Sequence, residues 1–251
     1  MSFARHRRTS YLAVAVAVAL GLSACASNDT KAKPGASSSS SAVEKGNSAS
    51  ALFQQLRRSS AAAKSVRIKG SITNGATTTS KAMTVKVDIA GDRTGKNLRA
   101  VVNDGSGSIE ILTVGGQTYL KADAAYWTKN GTAAIAKQAA GKYIKVPAAS
   151  AAGMSDLTVG KLLDQIFAKD ISTEGKLNTT VTKTEVNGAP AYLMTTKADA
   201  TKIYVSADGQ TRLLRVEGPK GQLGSLDFTE WDAVAPVSAP PANQLTTIPG
   251  L

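Results

Sequence analysis

Histidine occurs once in the 251 residues, as His6, and cysteine once, as Cys25. Beyond residue 25 the chain therefore has neither imidazole nor thiol. Histidine acid–base catalysis, serine triads built on histidine, cysteine nucleophiles and Cys/His zinc sites are excluded there. Intrachain disulfides are excluded too, so stability has to come from apolar burial. Acidic residues are few, 18 Asp+Glu against 30 Lys+Arg, for a net charge of +12. Long apolar runs are missing as well. The run Tyr11–Leu22 falls short of the roughly 20 residues that span a bilayer. No Ser-x-x-Lys occurs, and Gly218-Pro219-Lys220-Gly221 lacks the spacing of a phosphate loop. No catalytic residue, metal ligand or cofactor is assigned.

What is present begins at the N-terminus. Arg5, Arg7 and Arg8 precede the apolar run, and Leu22-Ser23-Ala24 lead into Cys25. A basic start, a short apolar middle and a small-residue exit describe an export signal. A cysteine directly after Leu-Ser-Ala makes it a bacterial lipobox. There the thiol becomes a thioether to diacylglycerol, and cleavage leaves Cys25 first. Residues 1–24 are expected to be the signal peptide, and Cys25 the lipidation site. The mature chain is then extracytoplasmic, tethered to the outer face of the cell membrane through its N-terminal diacylglycerol. Residues 1–24 carry three Arg and no acid, so the net charge falls from +12 to +9. Lysines are spread rather than clustered, which favours plain solubility over nucleic-acid binding. A monomer is expected.

Residues 25–47 read as a disordered tether, with the run Ser37–Ser41 and almost nothing apolar. A helix follows from Ser48 to Lys64, capped by Ser48 or Ser50, with Leu52, Phe53 and Leu56 on one stripe. Period-two strands come next. Met83, Val85, Val87 and Ile89 alternate with polar residues, and Asp104-Gly105 and Gly115-Gly116 mark hairpins. Tyr126-Trp127 open an Ala/Gly-rich loop stretch, with a short helix from Thr132 to Ala140. A second firm helix starts at Ser155 or Asp156 with Leu157, Leu162, Leu163, Ile166 and Phe167 as its stripe. Strands then resume across Asn187-Gly188 and Asp208-Gly209 and end with Leu223–Trp231. The tail, 236–251, holds Pro236, Pro240, Pro241 and Pro249. It cannot supply a central strand and is expected to lie over the surface or fray.

Strands first, helices in the middle and strands again define an α+β chain. Its half-apolar meander must cover one face, and the helices are the available cover. The expected fold of residues 48–235 is a curved antiparallel half-barrel wrapped around helices. A closed barrel is the competing solution.

Several segments carry a resemblance. They are the lipobox, the serine tether, the first helix, the meander and the mid-chain helix near Asp156–Lys169. Val186-Asn187-Gly188-Ala189-Pro190-Ala191-Tyr192, Ile203-Tyr204-Val205 and Leu226-Asp227-Phe228-Thr229-Glu230-Trp231 complete it. In this order they resemble the actinobacterial LppX/LprA/LprF/LprG-type lipoproteins, whose fold is similar to the LolA/LolB carriers. The resemblance spans about residues 48–235. It implies a half-barrel with an apolar cavity for acyl chains, and no enzyme. Met83, Val85, Val87, Ile89, Ile109, Ile111, Ile203, Val205, Leu214 and Val216 are the candidate lining. Tyr126 and Trp127 are candidates for a mobile lip at the mouth. The bland alternative is that these residues pack on the helices, with the aromatics as core anchors. Two functions stay open: a carrier of lipid or glycolipid acyl chains, and a non-catalytic surface module for a protein or wall polymer. Asp227 and Glu230 fall on opposite strand faces, so no shared cation site is expected of them.

Overall fold

A computed structural model describes residues 48–74, 82–151, 158–167, 176–219 and 224–248. The export segment, Cys25, the tether, the Ser155/Asp156 cap and Lys220-Gly221 lie outside the described residues.

Helix α1 (Ala49–Ala62) starts where the sequence places it: Ser48 Oγ accepts from the Ala51 amide at 3.1 Å. That bond satisfies one of the amides a helix start leaves open. Strands β1 (Ser65–Asn74), β2 (Met83–Asp92), β3 (Asn97–Asn103), β4 (Ser108–Val114) and β5 (Gln117–Ala122) form an unbroken antiparallel meander. Helices α2 (Ala124–Asn130) and α3 (Ala133–Ala139) interrupt it before the short β6 (Tyr143–Lys145). Helices α4 (Ala148–Ala151) and α5 (Val159–Ile166) follow. Strands β7 (Thr182–Val186), β8 (Ala189–Thr195), β9 (Lys202–Ser206), β10 (Leu213–Glu217) and β11 (Gly224–Thr229) build the second meander. Asn187 and Gly188, at φ 52° and 80°, turn β7 into β8, as an Asn-Gly hairpin requires.

The two meanders join by β1 pairing with β11, from Arg67 opposite Thr229 to Ile72 opposite Gly224. The result is one sheet in the order β12-β6-β5-β4-β3-β2-β1-β11-β10-β9-β8-β7, where β12 is Leu245–Thr246. Its end strands β12 and β7 do not pair with each other among the described residues, so the sheet is open and the closed barrel is not formed. Where β1 meets β11, a Cβ on Gly70 would lie 1.9 Å from the Ser225 carbonyl oxygen, and one on Gly224 would lie 2.3 Å from that of Ser71. Only glycine permits that approach.

One apolar cluster runs along the inner face from Ile144 on β6 to Met194 on β8. It is covered by Leu52, Phe53 and Leu56 of α1, Val159 and Leu163 of α5, Trp127 of α2, and Ala136 and Ala139 of α3. The half-barrel around helices is therefore the observed architecture. The tail lies over the surface, fastened rather than frayed. Val237 exchanges hydrogen bonds with the Asn97 side chain at 2.8 and 3.1 Å, β12 pairs in parallel with β6, and Ile248 is buried in the core. Proline bars it from a central position, but a two-residue edge strand carries no such restriction.

Candidate functional site: an apolar trough open at one end

Strand register sorts the inner face into rows that cross the sheet. One row runs Ile144, Leu120, Ile111, Ala100, Ile89, Ile68, Phe228, and every member is buried. The next runs Ala122, Ile109, Val102, Val87, Gly70, Leu226, Val216, Ile203, Met194. Its flanks are buried, whereas Gly70, Leu226 and Val216 at its centre are only half-buried. In the row beyond, Val85, Ile72 and Gly224 are all half-buried, and Met83 past them is 45% exposed. Burial therefore falls along the strands toward the end formed by β2, β1, β11 and β10. There the trough is apolar and incompletely covered.

The candidate lining residues divide by position. Val87, Ile89, Ile109, Ile111, Ile203 and Val205 lie in the buried cluster, with Val85 and Val216 packed at its margin. Met83 stands at the exposed end. Leu214 is elsewhere. A bulge between Leu213 and Arg215 turns it to the outer face, where it packs with Val186, Ala191 and Tyr204. Leu213 takes the inner position and is fully buried. Ile72 and Leu226 border the opening and were absent from the candidate set. Ile72 has the alternation that could have singled it out, but Leu226 is brought to it only by the pairing of β1 with β11.

Tyr126 and Trp127 do not lie in a loop. They sit on α2, whose N-cap Asp123 accepts from the Tyr126 amide through Oδ1 at 2.8 Å. Their rings meet edge to face at 5.3 Å between centroids. Trp127 is buried in the cluster and its Nε1 has no partner among the described residues, while Tyr126 packs at the margin. Burial pushes the Tyr126 phenol above its ordinary range, with the Asp104 charge adding to it.

Away from the Leu214 cluster the outer face is polar and ion-paired. Arg67 makes a two-pronged contact with Asp88 at 2.9 and 2.8 Å and reaches Glu230 at 3.1 Å. Arg215 binds Asp227 at 2.6 Å. Asp227 and Glu230 thus share the outer face, against the alternation expected of them, because Glu230 lies past the end of β11 at φ 54°, and they serve different arginines. Near one edge Glu110 accepts from Lys121 at 2.7 Å, Arg99 at 2.7 Å and the Tyr143 hydroxyl at 3.0 Å. Among the described residues no group of His, Cys, Asp and Glu is placed to hold a metal ion.

No protein-family model matches the chain, and no curated protein does. Among solved structures it is similar to the lipoprotein LppX of Mycobacterium tuberculosis, at 12% identity and a TM-score of 0.39 over 75% of this chain and 97% of that one. It is also similar to LprF of Mycobacterium bovis, at 15% identity and a TM-score of 0.43 over 77% and 96%. A LolA superfamily protein of Nitrosomonas europaea follows at 8% identity and a TM-score of 0.26, over 78% and 96%.

Proposed function

We propose that this chain is a membrane-anchored extracytoplasmic lipoprotein whose half-barrel receives the acyl chains of a lipid or glycolipid. The observation that carries the reading is the fall in burial from the closed row at Ile68 and Ile89 to the half-covered Ile72, Val85, Leu226 and Val216. Four adjacent strands there present apolar side chains that the helices do not fully cover. Acyl chains suit such a surface because they need contact area and no polar partner. Each methylene taken from water contributes about 0.8 kcal/mol, so partial insertion of one chain already gives useful affinity. No reaction is assigned. The surroundings of the trough are apolar, and the outer-face carboxylates Asp88, Glu110, Asp227 and Glu230 are committed to arginine and lysine. Anchoring rests on Cys25 and its lipobox.

The test is mass spectrometry of organic extracts from the full chain carrying Cys25→Ser, purified without detergent. A lipid recovered in stoichiometric amount is expected. In detergent-phase partitioning the same variant should lose the membrane-phase behaviour of the wild type. A second reading draws on the fully packed rows deep in the trough, which suit a module that binds a protein or wall polymer through its outer face. Extracts without lipid, together with no uptake from vesicles, would select that reading.

A further inference from the structure

Apart from the trough, α1 and α5 enclose a groove of about 470 Å³. Leu163 and Phe167 give it an apolar floor, and its walls carry Arg57, Arg58 and Arg93. Arg93 is already held, donating to the Ser60 carbonyl at 3.1 Å and to Asp164 at 2.6 Å. Asp164 is the carboxylate on this wall, and Arg93 neutralises it. Arg57 is half-buried and Arg58 exposed, and neither has an ion pair or hydrogen bond among the described residues. Ser60 supplies an independent sign. It lines the groove at 1% exposure, yet its Oγ has no partner among the described residues. The neighbouring Ser59 Oγ, by contrast, has the Leu56 and Thr211 carbonyls as acceptors. A buried hydroxyl left unpaired is uncommon, and this one lines a groove with two uncommitted guanidinium groups.

We infer that the groove between α1 and α5 binds an oxyanion, a phosphate or sulfate ester, through Arg57, Arg58 and the Ser60 hydroxyl. Guanidinium groups donate paired, charge-assisted hydrogen bonds to such groups, and the buried Ser60 hydroxyl adds a neutral donor. The site stands independently of the acyl trough.

Two probes separate the possible sources. The full chain carrying Cys25→Ser is titrated calorimetrically with inorganic phosphate, and with dihexanoyl phosphatidic acid kept as dispersed monomer. Binding of phosphate alone identifies a free-anion site. Tighter binding of the lipid that is lost when Arg57 and Arg58 are both replaced by Gln identifies a headgroup site. Either supports the inference. Tighter binding that survives the replacement places the lipid in the trough and counts against the inference. Arg57→Gln with Arg58→Gln should weaken binding at least tenfold, and Ser60→Ala severalfold, with no loss of melting temperature in either. Failure of both probes to bind, or wild-type affinity in either variant, would overturn it. Inorganic phosphate has no acyl chain, so this result and the lipid extract can fail separately.

Discussion

Glu110 shows what the outer face asks of single residues. Its side chain is 13% exposed and meets Lys121, Arg99 and the Tyr143 hydroxyl. Lys121 also lies over the Tyr143 ring, 4.5 Å from its centroid. Burial opposes the charge on Glu110. It is outweighed by the hydrogen bonds from Lys121 and Tyr143 and by the fields of Arg99 and Lys121, which hold the carboxyl below its ordinary 4.5. A depressed folded-state pKa stabilises fully above the unfolded value, and the gain disappears as pH falls through the folded one. Glu110→Gln keeps the shape and removes the charge. It should cost about 1–3 kcal/mol near neutral pH. Its deficit against wild type should shrink as pH drops below 4.5. Urea unfolding at both ends of that range measures this, and a deficit constant with pH would assign the loss to packing instead. None of this was legible in the sequence. Lys121 and Arg99 stand eleven positions to either side of Glu110 and Tyr143 thirty-three beyond it, and only strand register brings them together.

At the scale of elements, hairpins and helix caps were legible because they are local. Asn187-Gly188 and Ser48 act through neighbours within three residues. Helix α2 was missed although its signal is equally local, since Asp123 stands in front of an Ala-Ala pair and caps it. The composition of that stretch hid a short helix. The tail's prolines rightly barred a central strand, but its attachment depends on Asn97, Tyr143 and Ile144, far away in the chain. Ile248 is 4% exposed and belongs to the main cluster. Ile248→Ala should therefore cost about 2 kcal/mol or more in urea unfolding. A variant as stable as the wild type would return the tail to the role of a loose surface strap. The ending Leu226–Trp231 also works as an element. Phe228 is buried, Asp227 and Glu230 bind arginines, and Trp231 donates through Nε1 to the Leu213 carbonyl at 2.9 Å. It fastens the second meander to the first.

For the whole molecule the deciding comparison is between two neighbours on β2. Val85 and Val87 share a face, yet Val87 lies in the closed part of the trough and Val85 at its half-covered end. Val87→Trp should overpack the core, costing about 1–3 kcal/mol or more. Val85→Trp should leave the melting temperature nearly unchanged while reducing recovered lipid. Equal destabilisation by both would mean the trough is packed throughout and would count against acyl binding. By itself the sequence determined the alternation of each strand, the turns between them and the need for helices to cover one face, because these follow from contacts within a few residues. It also determined that neither histidine nor thiol chemistry is open to the chain beyond residue 25. Tertiary structure alone decided that β1 pairs with β11, that the sheet stays open, that Leu214 turns outward at a bulge and that cover thins toward Ile72 and Leu226. Those outcomes depend on which distant strands lie side by side, and on which of their residues the helices pack against.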